Sequence, residues 1–282
     1  MNKITLYILD KLEINLGIRM SKIRLIALDL DGTLLEGDKS ILPELKKVLI
    51  DLGRRGVKIT TASGRYLENQ LEILSLNDMG IKVGVPHALI ANEQEIYIAS
   101  ANQYVPLIEH NSMVEREWIK IMPIVLDLLK ETLDEFREKG IEVNPYDENA
   151  IERHMAGLLF KDIEEARKAE QYLRNKIMER GLKLKCCRSW CLVLILLPFA
   201  GKGEAVKTLA EYWNIEYPNV LCIGDDDHDI EMLDGRYGFI SATVSNADRE
   251  VIDIVKNIGG YISKLPRGRG VLDIFRYFSL IP

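Results

Sequence analysis

Residues 21–35 read SKIRLIALDLDGTLL, an apolar run from Ile23 to Leu30 that ends in two carboxylates, Asp29 and Asp31, followed by Gly32 and Thr33. A run this short and this apolar reads as a strand buried on both faces. Side chains two positions apart in extended chain share a face, so Asp29 and Asp31 approach one small volume. Two such anions at roughly 4 Å repel by about 4 kcal/mol at an effective dielectric of about 20, so a cation or a proton must relieve them. A hard, oxygen-seeking ion such as Mg²⁺ fits. Gly32 lets the chain turn sharply away, and the Thr33 hydroxyl can satisfy backbone groups of the loop.

Moving outward, GVKITTAS (56–63), HALIAN (87–92) and NVLCIG (219–224) repeat the pattern of a short apolar strand. The segment Pro43 to Arg54 carries Leu45, Val48, Leu49 and Leu52 at helical spacing, with Pro43 in the first turn. Strands alternating with helices imply a parallel sheet with helical crossovers, in which ligands bind beyond the carboxyl ends of the strands. Asp29, Ser63 and Asp225 all fall there. The middle of the chain has another rhythm: helix 112–139, strands near 141–144 and 155–160, helix 162–180, strands near 182–188 and 191–197. Helix, strand, strand, twice over, predicts a separate α+β unit inserted into the first. The expected division is therefore an extension over 1–19, a core over 20–107 and 198–282, and an insert over 108–197.

Composition narrows the function. The 282 residues are 47% hydrophobic, enough for a real core, and the net charge of −6 supplies no basic field for nucleic acid or an anionic membrane. The longest apolar run, Cys191 to Pro198, is far short of the roughly 20 residues that span a bilayer. Residues 1–19 interleave Asp10, Lys11 and Glu13 with apolar residues, unlike a signal peptide, and Met20 stands just before the first strand. An appended segment or a misassigned start is expected there; N-terminal sequencing of the native protein that found Met1 or Asn2 would reject the misassigned start. Cys186, Cys187, Cys191 and Cys222 lack zinc-site spacing and disulfide density, as in a reducing cytoplasm. A small molecule is the expected partner, for a cytoplasmic monomer or homodimer.

A second acidic cluster, GDDDHD at 224–229, follows the strand 219–224. It is no EF-hand, because Ile230 stands where position six needs Gly and Arg236 where position twelve needs Glu. A solvated acidic turn capping a helix at Ile230 is the plain alternative. Ser63, Gly64 and Arg65 after the second strand, and Lys202 between Gly201 and Gly203, are suited to holding phosphate at helix starts. Each alone could be an N-cap or a surface lysine. A P-loop is excluded, since residue 196 is Leu and Gly203 replaces the required Ser or Thr.

In this order, DLDGT (29–33), Ser63-Gly64-Arg65, Lys202 and GDDDHD (224–229) resemble the haloacid dehalogenase superfamily, and the doubled insert resembles the large cap of its IIB, Cof-like, subfamily, which includes sucrose-phosphate phosphatases. SNA at 245–247 and GRGVLDIF at 268–275 belong to the likeness. The resemblance implies a Rossmann-like parallel sheet with helices on both faces and an inserted α+β cap. It implies a Mg²⁺-dependent phosphatase acting on a small phosphorylated metabolite such as a sugar phosphate. Asp29 would attack phosphorus, with Asp31 as acid and base and Ser63 and Lys202 on the phosphoryl oxygens. Thr33, Gly64, Arg65 and Asn246 would line the substrate site. Asp225 would ligate the metal with Asp29 and the Asp31 carbonyl, and Asp229 would orient Lys202 or a metal-bound water. Two departures stand out: His228 where the family usually has Asn, and Asn92-Glu93-Gln94 where it commonly has Asn-Gly-Ala, at the hinge into the cap.

Asp31 can serve both steps only with a pKa raised by anionic neighbours and by cap closure. The cap should choose the leaving group, and His154, Arg188 and Trp190 are candidates for substrate contact, though each also reads as structural. A phosphomutase of the phosphomannomutase type and a catalytically silent sugar-phosphate sensor are the rival readings.

Overall fold

A computed structural model of the chain describes residues 23–146, 151 and 154–282. The expected extension over 1–19 lies outside them. The first elements are β1 (Leu25–Leu28), α1 (Pro43–Arg54), β2 (Lys58–Ala62), α2 (Leu67–Leu76), β3 (Ala88–Ala91), β4 (Glu95–Ser100) and β5 (Gln103–Pro106). Next come α3 (Ile108–Glu138), β6 (Val143–Pro145), β7 (Ala156–Phe160), α4 (Ile163–Glu179), β8 (Lys185–Ser189) and β9 (Leu192–Leu196). The chain then runs through α5 (Lys202–Tyr212), β10 (Val220–Gly224), α6 (Ile230–Leu233), β11 (Ile240–Thr243), α7 (Arg249–Asn257), β12 (Tyr261–Ile262) and α8 (Arg267–Tyr277).

The larger sheet has the order β12-β11-β10-β1-β2-β3-β4-β5. Its strands from β12 to β3 pair in parallel, and β4 and β5 close it antiparallel. Both faces are covered, which explains the near-continuous apolar strands. In β1, Ile26 and Leu28 pack with Leu45, Leu49, Val271 and Phe275 of α1 and α8, while Leu25 and Ala27 pack with Val206, Leu209, Val251 and Val255 of α5 and α7. The period-two alternation of a strand thus joins helices on opposite sides.

The smaller sheet, order β6-β7-β9-β8, is wholly antiparallel. It shares an apolar cluster with α3 and α4, including Trp118, Leu128, Phe136, Leu173 and Val193. This is the helix-strand-strand repeat expected from the sequence, with one difference at its entry. The helix starts at Ile108, before Ser112, because His110 and Asn111 of its first turn bond the backbone of β4 and the residue before it, at Ile96 and Gln94. The hairpin β4–β5 was not anticipated, since its partly exposed residues form no continuous apolar run. Among the described residues, no helix is long and apolar enough to cross a membrane.

Parallel register fixes where the loops converge. Leu28 is level with both Ile223 and Thr61, so β1, β2 and β10 end together and the residues just beyond them meet at one edge of the sheet.

Candidate active site

Asp29 leaves β1 with its N–H donating to the Ile223 carbonyl at 2.9 Å, which keeps it in strand geometry beside β10. Its carboxylate is buried, at 4% exposure for the residue, and Oδ1 accepts from Lys202 Nζ at 2.8 Å. Lys202 is the first residue of α5, and the same ammonium donates to Asp229 Oδ1 at 2.7 Å. Asp229 Oδ2 accepts the backbone N–H groups of Asp225 and Asp226 at 2.8 and 3.0 Å, in a turn closed by a reciprocal capping arrangement between Asp226 and Asp229. A buried lysine thus ties together two carboxylates that lie 200 residues apart in sequence.

Ligand atoms of Asp29, Asp225 and Asp229 lie within 4.8 Å of one another. Burial pushes the Asp29 carboxyl well above the usual carboxylate range, Lys202 pulls against it, and Asp229 and Asp225 add to the rise. Burial and the neighbouring Asp229 push Asp225 up to about 8, and burial raises Asp229 despite Lys202. Lys202 moves the other way: burial opposes its charge, but Asp229, Asp29 and Glu93 hold it well above its normal value. Three carboxylates around one ammonium leave excess negative charge in a poorly solvated volume. The donor set, all oxygen, fits a hard divalent cation such as Mg²⁺.

The surrounding loop residues support Asp225 more than they face the cavity. Thr33 Oγ1 donates to Asp225 Oδ1 at 2.5 Å, and Asn246 Nδ2 donates to the Gly32 carbonyl at 2.9 Å and reaches Asp225 Oδ2 at 3.4 Å. Gly32 is at φ +85°, and a Cβ there would run into the Asp225 carboxylate. Neither Thr33 nor Asn246 lines the cavity, so the structure gives them Asp225 as partner where the sequence reading gave them substrate. Ser63, buried at the end of β2, accepts the Arg65 N–H at 3.1 Å, and Ser63, Gly64 and Arg65 all line the cavity.

Asp31 lines the cavity as well, but its surroundings differ from expectation. Its neighbour is a cation: Arg65 grips it with two hydrogen bonds, Nε to Oδ2 at 2.5 Å and Nη2 to Oδ1 at 2.8 Å. Its side chain is 53% exposed and stands outside the buried acidic trio. The strand ends at Leu28 and Gly32, at positive φ, turns the chain beside the Asp225 carboxylate, so the shared face of a strand does not reach Asp31.

The cavity holds about 280 Å³ and is lined on the insert side by Leu192 and Leu194 of β9 and by Tyr146 and Met155, which flank β6 and β7. Of the three residues proposed from sequence to touch substrate, none lines it. Arg188 is buried and pairs with Asp227 and with Glu170, bridging the two sheets; His154 Nδ1 bonds Glu95 Oε1 at 2.9 Å; Trp190 is 65% exposed. Residues that sequence reasoning did not place in the cavity include Tyr66, Asn69, Glu93, Tyr146 and His228. For Glu93 and His228 a signal existed, because both were departures from the family pattern.

A model of the family described as haloacid dehalogenase-like hydrolase matches residues 26–264. A phosphoglycolate phosphatase of Picrophilus torridus is 28% identical over 92% of this chain and 93% of its own length. A 5-amino-6-(5-phospho-D-ribitylamino)uracil phosphatase of Bacillus subtilis is 22% identical over 91% of this chain and 98% of its own. In fold, the chain is similar to the sucrose-phosphatase from Synechocystis solved with sucrose and phosphate, with a TM-score of 0.70 and 19% identity over 92% of this chain and 99% of that one.

Proposed function

We propose that this chain, which belongs to the haloacid dehalogenase-like hydrolases and is a phosphatase, hydrolyses a phosphomonoester of a small metabolite with Mg²⁺ bound and Asp29 transiently phosphorylated. One observation carries the reading: the Asp29 carboxylate is held by Lys202 within reach of Asp225 and Asp229, in the lining of a cavity between the two sheets. That cavity, about 280 Å³, lies at the small end of ligand pockets and suits a sugar phosphate or a molecule of that size. The named substrates of the relatives, phosphoglycolate and a phosphoribitylamino-uracil, are small phosphate esters too.

Asp29 and Asp225, with the Asp31 carbonyl, would hold Mg²⁺, and Asp229 would orient Lys202 or a bound water. The ion supplies the positive charge that lets a phosphate dianion approach a carboxylate. An Asp29 oxygen forms a bond to phosphorus as the bond to the ester oxygen breaks, and Asp31, released from the Arg65 ion pair that holds it in this structure, gives that departing oxygen a proton. Water then attacks the phosphorylated Asp29, Asp31 takes back a proton, and inorganic phosphate leaves. Lys202 and Ser63 hold the phosphoryl oxygens through both steps, and Arg65 keeps Asp31 at the cavity wall. Thr33 and Asn246 serve by fixing Asp225.

Phosphate release from sugar phosphates, phosphoglycolate, nucleotides and pyridoxal phosphate, with Mg²⁺ or with excess EDTA, tests this. Turnover is expected only with the ion, and Asp29→Asn should keep less than about a thousandth of it, roughly 4 kcal/mol of barrier. Full activity in EDTA, or a larger residue of activity in Asp29→Asn, overturns the reading.

A further inference from the structure

The cavity has two unlike walls. From the larger sheet and its loops come charged groups, Asp29, Asp31, Arg65 and Lys202 among them. Glu93 and His228 belong to that wall too, and they are turned to each other, Glu93 Oε1 to His228 Nδ1 at 2.9 Å, with His228 also hydrogen-bonded to Cys187 of β8. From the insert come Tyr146, Met155, Leu192 and Leu194. Among the described residues, Tyr146 is therefore the one insert side chain in the lining that carries an oxygen or a nitrogen, and it packs with the insert's apolar cluster.

Strand period builds the apolar wall. Leu192 and Leu194 stand two positions apart on β9 and share a face of the smaller sheet. Directly opposite them on β7 are Leu159 and Gly157, on the same face. Leu159, 45% exposed, carries that face on beyond the cavity. Gly157 leaves space that Leu194 takes, since a Cβ there would strike Leu194 Cδ2. The insert does send polar side chains toward the larger sheet, but they are spent on it: Lys185 pairs with Glu231, Arg188 with Asp227, and His154 Nδ1 bonds Glu95 Oε1 at 2.9 Å. None of the three lines the cavity.

A sugar brings several hydroxyls, and each must trade water for a partner when it is buried. Leucine offers none. A hydroxyl pressed unpaired against such a wall weakens binding by about tenfold, whereas a ring or an alkyl chain gains by leaving water. We infer that the leaving group of the substrate is apolar, the alcohol of an aromatic or aliphatic group that lies against Leu192 and Leu194 with its phosphate at Asp29 and Lys202, and not the polyhydroxylated sugar that the cavity volume alone would admit. This rests on the phosphatase reading above and narrows its substrate class.

The test measures phosphate release by the full chain with Mg²⁺ on benzyl phosphate and on glucose 6-phosphate. Both are esters of primary alcohols, so the bond to be broken is alike and the ratio of kcat/KM reports the rest of the leaving group. The wild type is expected to favour benzyl phosphate by about tenfold or more, chiefly through KM. In Leu192→Gln, which sets an amide in the wall at similar size, that ratio should fall about tenfold, while Leu194→Met, apolar and of similar volume, should keep it within about threefold. A wild-type ratio below about threefold overturns the inference whether or not either variant folds, and so does an unchanged ratio in a folded Leu192→Gln. Absence of phosphate release from these two esters and from the panel named above would instead overturn the phosphatase reading.

Discussion

Replacing Lys202 by Met removes the ammonium that sits 2.8 Å from Asp29 and 2.7 Å from Asp229. The methionine fills much of the same space, so the loss is electrostatic. Side-chain exposures of 4% for Lys202, 6% for Asp29 and 0% for Asp229 leave water little access to take its place. At the 4.8 Å limit on their separation, two carboxylates repel by about 3.5 kcal/mol at an effective dielectric of about 20. Deleting one partner of a buried pair costs about 3–5 kcal/mol, and the two figures agree in scale. Urea unfolding in EDTA at pH 7.5 should therefore place Lys202→Met about 3–5 kcal/mol below wild type. The deficit should shrink as the pH falls, since a protonated Asp29 or Asp229 no longer needs a cation. Asp29→Asn combined with Lys202→Met should be more stable than the two single losses added together, by about 1–3 kcal/mol. A deficit of less than about 1 kcal/mol in EDTA would refute the description of this lysine as the counter-charge of a buried acidic pair.

Thr33→Val removes the 2.5 Å hydrogen bond to Asp225 Oδ1; a bond to a charged group is worth about 1.5–3 kcal/mol, so the Mg²⁺ concentration for half-activity should rise about tenfold or more, and an unmoved midpoint refutes the assignment. Gly32→Ala must accept φ +85° and push its Cβ onto the Asp225 carboxylate, so it should lose about 1–3 kcal/mol of stability together with its Mg²⁺ response; wild-type behaviour in both refutes the turn described here. His87 offers a pH test away from the site. Burial, with Lys58 nearby, lowers its pKa to about 4, and its Nδ1 accepts the Ile59 N–H at 3.1 Å. Above the unfolded value of about 6.5 the ring is neutral in both states and contributes no pH dependence. Below it the unfolded chain binds a proton that the native ring refuses, so stability drops progressively down to about pH 4. His87→Gln should flatten that part of the urea-midpoint profile; parallel profiles for variant and wild type refute it.

The strands carrying Asp29, Ser63 and Asp225 were legible because burial on both faces leaves an unbroken apolar run, and a parallel sheet brings the loop residues after each run to one edge. The helix Pro43–Arg54 was legible to the residue, with its proline start and its apolar stripe. The strands β4 and β5 were not, since half-buried strands mix polar and apolar residues without a clear period. Around Asp29 the sequence offered candidate residues but not their partners. The two carboxylates of DLDGT looked like neighbours in a strand, but Gly32 turns the chain and Arg65 draws Asp31 aside. Arg188 looked available to a substrate and is instead consumed by Asp227 and Glu170, partners 39 and 18 positions away that no local pattern reveals. Glu93 and His228 were each visible as departures, yet only the folded chain shows that they are one pair.

The turn Asp226–Asp229 serves two neighbours at once. Asp227 is met by Arg188 from β8 of the insert, and two residues later Asp229 is met by Lys202 on the floor of the cavity. A chimera that grafts a foreign lid onto this chain would inherit a socket cut for an arginine. Without a guanidinium to seat in it, Asp227 would be stranded, and the disturbance would begin two residues from Asp229, the anchor of the buried Lys202. Exchange of lids between relatives is therefore constrained by the fit at this joint as well as by the linkers that carry the chain across.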